Sequence, residues 1–372
     1  MKILLFDGDV SCLVRFRGDF VRELVKRGNE VQALVPVLNN SEKALMDSLE
    51  IEYTNINLAR TNMSPIKTAK EFFRVRRHIK EISPDIIFNY TAKPFLLGSI
   101  AAKLLNIKKI YSMLPGLGFI FIGNSLKKKV LRLIVCILYK ISFACNNKAF
   151  VLNKDDHKEL LQRKLIAGKK LIMIRGEGVD LEHYTDDNEN KKISPPVFLF
   201  VGRLIREKGI NDFVKAAEII KKDHPLVEFR VAGNVDKNPS SITLEELEEL
   251  SRNKTINYIG FINDIREEFK KSSVFVLPSY YREGLPRSTM EALSMKVPVI
   301  TTINPGCRES IKDGETGYLT PVNNPEALAK KIKKFIEKPE LINEMGLNAR
   351  TFAEKHYDVN IINDEIANII FE

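Results

Sequence analysis

This chain of 372 residues offers little for metal, thiol or nucleophile chemistry. Its four cysteines, Cys12, Cys136, Cys145 and Cys307, show no C-x-x-C spacing, so a disulfide framework and a zinc ribbon are both unexpected and a reducing cytoplasm fits best. The five histidines, His78, His157, His183, His224 and His356, lack neighbours at metal-ligand spacing, and no Ser-His-Asp arrangement can be placed. No apolar run reaches the roughly 18 residues that a spanning helix needs. The chain opens on the strand-like MKILLF rather than on a signal peptide. Low-complexity tracts are also missing, and a hydrophobic share of 44% with a charged share of 28% is that of a globular protein. At this length two domains of about 180 residues are the natural expectation, each able to bury its own core.

Charge is unevenly spread. Residues 1 to 180 hold 31 Lys and Arg against 17 Asp and Glu, and residues 181 to 372 hold 27 against 31. A first half this basic points to a polyanion or an anionic membrane, although solubility alone would also use surface charge.

In the first half, Lys2 to Phe6 reads as an apolar strand, Asp7-Gly8-Asp9 as the turn after it, and Phe20, Leu24 and Val25 as a helix face ended by Gly28. Further strands are expected at 30–36, 85–88, 109–113, 148–152 and 170–174, separated by helix-length segments. That alternation predicts an α/β fold with a doubly wound parallel sheet, whose ligands bind beyond the C-terminal strand ends. Those ends carry Asp9, Ser11 and Arg17, then Asn89, Thr91 and Lys93, then the turn Pro115-Gly116-Leu117-Gly118. The Asp7-Gly8-Asp9 pattern has the form of a D-x-D metal clamp, but that clamp normally lies deep in its domain, so no metal is expected.

Residues 119 to 145 alternate apolar and basic blocks: Phe119 to Ile122, Lys127-Lys128-Lys129 and Arg132, then Leu133 to Tyr139. As an amphipathic helix this stretch could face a membrane with Phe119, Phe121, Lys127, Lys128, Lys129 and Arg132, each cation contributing roughly 1 kcal/mol near anionic lipid. Equally, it could pack on the sheet with its charges in water.

The polar segment 184–196, ending in Pro195-Pro196, reads as a linker, and 197–201, 228–232, 256–259, 274–277 and 298–301 read as strands of a second doubly wound domain. Arg203 and Lys208 flank its first strand-to-helix turn, where two cations can meet a diphosphate. The stretch organising this half is SYYREGLPRSTMEAL, Ser279 to Leu293, in which Gly284 and Pro286 break the chain between Glu283 and Glu291. Ser288 and Thr289 are placed to cap the following helix. A loop feeding a helix N-terminus suits a phosphate, and flanking carboxylates suit sugar hydroxyls.

VGRLIREKG, AGN at 232–234, YIGF at 258–261, LPSYYREGLPRSTMEAL and PGCRESIKDGETGYL occur in that order. Together they resemble the retaining GT-B glycosyltransferases of family 4. VRFRGDF, YTAKP at 90–94 and GLGFIF at 116–121 are similar to bacterial members that extend lipid-linked capsular, O-antigen or N-glycan oligosaccharides. The resemblance implies two Rossmann-like domains facing a cleft: an acceptor domain over 1–183, a donor domain over 197–350, and a C-terminal helix over 351–372 packing back on the first. It further implies that Arg203 and Lys208 bind the donor diphosphate, Glu283 orients the transferred sugar, and Glu291 holds the ribose. Gly284, Leu285 and Pro286 would complete the phosphate cradle, Gly202 would admit the donor, and Gly260, Phe261 and Ile262 would line the base pocket near Asn234. Asp9, Ser11, Arg17, Thr91, Lys93, Gly116, Leu117 and Gly118 fall on the acceptor side. A histidine that many members carry before the Gly-rich loop is Pro115 here.

The function so implied is transfer of an N-acetylhexosamine, with N-acetylgalactosamine the specific guess, from a UDP donor to a polyprenyl-diphosphate-linked saccharide. It would need no cofactor or metal, and would run on the inner face of a bacterial cytoplasmic membrane. A UDP-sugar 2-epimerase of the same fold, and a non-catalytic polyanion- or lipid-binding protein, are the alternatives. Nucleic acid is not an expected partner, and oligomeric state is not readable from the sequence.

Overall fold

A computed structural model describes residues 1–58, 64–118, 121, 126–187, 194–235 and 240–372. It divides into two compact units, Met1–Glu177 with Val359–Glu372, and Gly178–Asp358. Residues 188–193 of the polar segment lie outside the described residues.

The first unit begins with β1 (Lys2–Asp7), α1 (Val10–Lys26), β2 (Glu30–Pro36), α2 (Asn40–Asp47) and β3 (Glu52–Ile56). It continues through α3 (Pro65–Ile82), β4 (Ile86–Tyr90), α4 (Ala92–Leu104), β5 (Lys109–Leu114), α5 (Leu126–Cys145), β6 (Lys148–Val151), α6 (Lys154–Gln162) and β7 (Leu171–Met173). The strands pair in parallel in the order β3-β2-β1-β4-β5-β6-β7. β1 and β4 are apolar on successive residues and buried on both faces, as parallel strands covered by helices must be. α5 packs one stripe, Val135, Cys136, Tyr139 and Phe143, into a core shared with Phe95, Leu114 and Phe150's neighbours Ala149 and Val151.

In the second unit the elements are β8 (Val197–Val201), α7 (Ile210–Asp223), β9 (Glu228–Ala232), α8 (Leu244–Arg252), β10 (Asn257–Tyr258) and α9 (Arg266–Lys270). Then come β11 (Val274–Leu277), α10 (Arg287–Ser294), β12 (Val299–Thr302), β13 (Gly317–Thr320), α11 (Pro325–Glu337) and α12 (Glu340–His356). Its parallel order is β10-β9-β8-β11-β12-β13. The last helix, α13 (Val359–Phe371), belongs to the first unit, where Arg27 of α1 meets Asp364 at 2.7 Å and Lys109 donates to the Phe371 carbonyl at 3.1 Å.

Two strands were not expected from the sequence. β3 reads EYTNI and is half exposed, and β13 reads GYLT and begins on a glycine, so neither carries the buried apolar run that marks its neighbours. Both are sheet edges, held by pairing on one side only. A further correction concerns α10: it starts at Arg287 with Pro286 at the N-cap, and no side chain caps it. Ser288 and Thr289 therefore lie inside the first turn rather than before it, and Pro286, with ψ 120°, is the last extended residue ahead of the helix.

Candidate active site

In a doubly wound sheet, ligands bind where the strand order reverses. In the second unit that point lies between β8 and β11, because the chain builds β8, β9 and β10 toward one edge and β11, β12 and β13 toward the other. Arg203 and Lys208 follow β8, and Glu283 and Glu291 follow β11. All four stand at the same reversal.

The loop after β8 is anchored by Leu204 and Ile205, both buried, and then makes a 3-10 turn over Arg206–Lys208. The Glu207 carbonyl in that turn accepts from the backbone N–H groups of Tyr280 (2.9 Å) and Tyr281 (2.8 Å) and from Ser279 Oγ (3.2 Å). Gly209 ends the turn with φ +84°, and a Cβ there would stand 2.1 Å from the Pro278 carbonyl oxygen. The turn after β8 is thus stapled to the loop after β11. This brings Lys208 Nζ to 2.6 Å from Glu283 Oε1, with both side chains largely buried.

Ser279 Oγ shares its one proton between the Glu207 carbonyl and Glu283 Oε1, the shorter contact at 3.0 Å, and so holds the carboxylate between a cation and a hydroxyl. From the other side, Gly306 (φ +78°) lies so close that a Cβ would meet the Gly284 carbonyl oxygen at 2.4 Å and that of Glu283 at 2.6 Å. Cys307 beside it is fully buried; burial, with the nearby Glu283 carboxylate adding to it, pushes its thiol up to about 12, so it packs as a neutral group. Thr302 Oγ1 donates to the Ser279 carbonyl at 2.5 Å, and the Asn304 amide donates to the Tyr281 carbonyl. Arg203, exposed, lies over the Tyr281 ring at 5.7 Å. Gly284, Leu285 and Pro286 are buried and lead directly into α10, whose N-terminus no side chain closes. That end presents backbone donors to an anion.

Glu291, in the second turn of α10, accepts from Arg287 Nε at 3.1 Å, while Arg287 Nη1 donates to the Gly178 carbonyl at 2.7 Å. Tyr184 lies beside the same carboxylate, and burial, with the Glu291 charge adding to it, drives its phenol well above the ordinary tyrosine range. On the β10 side, Gly233 N–H donates to the Gly260 carbonyl at 2.9 Å, and a Cβ on Gly233 would be 2.0 Å from the Gly202 carbonyl oxygen. Gly202, Gly233 and Gly260 thereby set three neighbouring strand ends close together. Asn234 and Phe261 are exposed there and Ile262 is half-buried.

The first unit reverses between β1 and β4, and the acceptor-side candidates divide there. Asp9 caps α1 by accepting from Cys12 N–H at 3.2 Å, and Ser11 is exposed on its first turn. Thr91 Oγ1 reaches Asp7 Oδ1 at 3.5 Å and sits close over Gly8, with φ +74° and ψ 165°. Such a backbone is strained for a β-branched residue and marks a position held by its surroundings. Asp7 is fully buried, and burial raises its carboxyl well above the usual range. Lys93 is paired with buried Glu71 at 2.6 Å. Gly116 and Gly118 flank Leu117, whose side chain is in the core and whose N–H donates to Asp156 Oδ2 at 3.2 Å.

Three sequence expectations are corrected. Arg17 is not open to an acceptor: it is buried 3.6 Å from Glu177, donates to Met113 Sδ at 2.7 Å and lies over Tyr90 at 5.0 Å. Asn89 likewise is inside the sheet, donating to Ser112 and the Tyr111 carbonyl. Phe121 does not face a membrane; it is buried against Tyr139, with half-buried Arg132 over its ring at 5.9 Å. Lys129 is exposed, whereas Phe119 and the side chains of Lys127 and Lys128 lie outside the described residues. The sequence reading also passed over Ser279, Arg287, Tyr184, Gly209 and Gly306. Ser279, Arg287, Gly209 and Gly306 all lay inside quoted motifs; the four-residue spacing of Arg287 from Glu291 and of Ser279 from Glu283 was the local signal for two of them, and nothing local told the roles of the others.

Two family models match the chain: "Glycosyl transferase 4-like" over residues 2–150 and "Glycosyl transferases group 1" over residues 185–352. Among curated proteins, the chain is 27% identical over 97% of its length, and 96% of the relative's, to the N,N'-diacetylbacillosaminyl-diphospho-undecaprenol alpha-1,3-N-acetylgalactosaminyltransferase of Campylobacter jejuni. It is 27% identical to the Escherichia coli UDP-Gal:alpha-D-GlcNAc-diphosphoundecaprenol alpha-1,3-galactosyltransferase, over 78% of this chain and 76% of that one. Among solved structures, Anabaena HepE in complex with UDP and glucose superposes with a TM-score of 0.79 at 17% identity, covering 100% of both chains. A glycosyltransferase from Rickettsia africae gives 0.77 at 21% identity, over 99% of this chain and 97% of that one.

Proposed function

This chain belongs to the GT-B glycosyltransferases of family 4, and we propose that it moves an N-acetylhexosamine, specifically N-acetylgalactosamine, from a UDP donor to a polyprenyl-diphosphate-linked saccharide. The observation that carries the site reading is the pairing of Lys208 with Glu283 at 2.6 Å at the strand-order reversal, beside an uncapped helix N-terminus. The names of the Campylobacter and Escherichia relatives, both acting on undecaprenol-linked sugars, support the acceptor class.

In the reaction the bond from sugar C1 to the diphosphate oxygen breaks, and its electron pair stays on the leaving UDP. Arg203, Lys208 and the α10 N-terminus stand where that negative charge grows, and fixed donors of this kind stabilise a transition state because they need no reorganisation. Glu283, held by Lys208 and Ser279, orients the sugar from the opposite side of the loop. The acceptor hydroxyl bonds to C1 from the face the phosphate leaves, and its proton passes to the departing phosphate oxygen. Configuration is retained, and neither a metal nor a side-chain base takes part. Glu291, held by Arg287 and Tyr184, receives the ribose hydroxyls. The enzyme works peripherally on the inner face of the cytoplasmic membrane, where such acceptors are anchored.

The test is transfer from radiolabelled UDP- and GDP-sugars onto a bacterial lipid extract in EDTA. Label from one UDP-sugar is expected in the organic phase. Label that stays in water but changes identity would replace this reading with the epimerase.

A further inference from the structure

The first unit holds an ion pair that the transfer step leaves unused. Glu71 on α3 places Oε2 at 2.6 Å from Lys93 Nζ, and the two side chains are 5% and 19% exposed. The acid is the sunken partner, and the ammonium is the one nearer water. A pair this buried adds little net stability, so its clearest effect is to fix where the two groups stand. Lys93 is the second residue of α4, which starts at the C-terminal end of β4, where the strand order of this unit reverses. Glu71 thus fixes a cation at the edge of the sheet that receives ligands.

The groups around that cation are donors. Thr91 is the N-cap of α4 and its side chain makes no capping hydrogen bond, while Ala92, the first helical residue, is exposed, so the N-terminal turn of a 13-residue helix meets solvent uncapped. Asp7, the register partner of Tyr90, takes the Asp9 N–H (3.0 Å) and Thr91 Oγ1 (3.5 Å) on Oδ1. Its Oδ2 is buried with no hydrogen-bond partner among the described residues. Burial raises this carboxyl well above the usual range, and with Oδ1 accepting, the proton belongs on Oδ2 as a donor beside the helix end. The two acids whose charges bear on Asp7 are engaged: Asp9 caps α1, and Glu177 lies 3.6 Å from buried Arg17. Between Asp85 and Asp155, a span that supplies α4 and the ends of β4, β5 and β6, the sequence contains no acidic residue and eleven Lys and Arg. A saccharide alone asks for acceptors as well as donors. Helix-end N–H groups, a hydroxyl, a protonated carboxyl and an ammonium suit phosphoryl oxygens, which only accept.

We propose that the open end of α4, with Lys93 held by Glu71, is a phosphoryl-binding site of the first unit and that it takes the diphosphate of the lipid-linked acceptor. Lys93 is the binding residue and Glu71 its positioning residue. The inference rests on the proposed function for the identity of the acceptor, and on the donor set alone for the choice of a phosphoryl group over a bare saccharide. The diphosphate lies away from the hydroxyl that reacts, so a contact to it is made equally in the ground and transition states and governs KM rather than kcat.

The experiment gives the full-length protein N-acetylglucosamine on two carriers, geranylgeranyl diphosphate and a phosphate-free octyl group, as acceptors. K93Q is expected to raise the KM of the diphosphate acceptor by roughly tenfold or more, and E71Q to raise it in the same direction. E71D, which keeps a carboxylate for Lys93, recovers part of the loss. The donor KM and the KM of the octyl glycoside stay within about twofold of wild type in each variant. K103Q, at the far end of α4, is the control and matches wild type on both acceptors. Binding is read apart from turnover, by calorimetric titration of inorganic pyrophosphate into protein saturated with UDP, which leaves only phosphoryl sites outside the donor site to fill. Wild type is expected to bind, and K93Q to bind roughly tenfold more weakly. Equal KM changes on both acceptors, a rise in donor KM in place of acceptor KM, no pyrophosphate binding by wild type, or equal binding by K93Q would overturn the inference. A wild type that transfers to neither acceptor but loses its pyrophosphate site in K93Q sustains the phosphoryl site and defeats the proposed function. One that transfers to the diphosphate acceptor, with K93Q and E71Q unchanged, does the reverse.

Discussion

At the scale of single residues, the candidate donor site is a set of side chains whose orientation is set by neighbours. Glu291 is held by the Arg287 guanidinium, which in turn is tied to the Gly178 carbonyl, and by Tyr184. Truncating Arg287 leaves the carboxylate in place but free to turn, so Arg287→Ala is expected to raise the donor KM by roughly tenfold while kcat changes by less than about threefold. Steady-state kinetics on UDP-sugar decide this; a fall confined to kcat would place Arg287 in the chemistry instead. Asp7 makes a second prediction. Its folded carboxyl titrates above the unfolded one because it is buried, so the folded state holds the proton more tightly. The resulting stability is present at low pH and is lost as pH rises from the unfolded value toward the folded one. Asp7→Asn should therefore unfold at higher temperature than wild type at pH 7, with the gap closing toward pH 4. A gap that widens toward acid would reverse the assignment. These two residues also show where sequence reading stops. Glu283, Glu291, Arg203 and Lys208 stood out because charged residues flanked recognisable turns. Arg287 stands four residues before Glu291, a helical spacing that was there to be read, but its tie to the Gly178 carbonyl and the approach of Tyr184 to Glu291 cross more than a hundred residues of sequence that no periodicity records.

At the scale of elements, the turn after β8 and the loop after β11 act as one piece. Three donors converge on the Glu207 carbonyl, and Gly209 fits where a Cβ would strike the Pro278 backbone. Gly209→Ala meets both a left-handed φ and that contact, whereas Gly314→Ala meets only the left-handed φ of +79° with nothing within 4 Å. Equilibrium urea unfolding should show Gly314→Ala costing about 1–2 kcal/mol and Gly209→Ala clearly more, with loss of transfer activity in the latter alone. Equal costs would mean that the close approach is not maintained in solution. Strands with continuous apolar runs, such as β1, β4, β8 and β11, were legible because burial on both faces imposes that composition. The edge strands β3 and β13 were not, since one neighbour's hydrogen bonds suffice to hold them and their side chains remain half in water. α5 was half legible. Its basic and apolar blocks announced an amphipathic helix, but Phe121 turned inward, and only the burial pattern separates the core stripe from the outward one.

At the scale of the whole molecule, two parallel sheets each reverse strand order once, and each reversal gathers polar side chains: Asp7, Asp9 and Thr91 in the first unit, Lys208, Glu283 and Glu291 in the second. Topology thus explains why residues eighty positions apart in sequence can serve one site. The charge follows the same division, since the basic excess lies in the half that carries the Lys93–Glu71 pair. The account stands on the claim that the Lys208–Glu283 pair is the catalytic centre of a sugar transfer. Its most direct test is single-turnover transfer by Lys208→Ala and Glu283→Gln, with UDP affinity measured by calorimetry on the same preparations. Each variant should lose roughly 100-fold or more in rate while folding normally, because each removes a preorganised contact at the reacting centre. Wild-type rates in both variants would contradict the account.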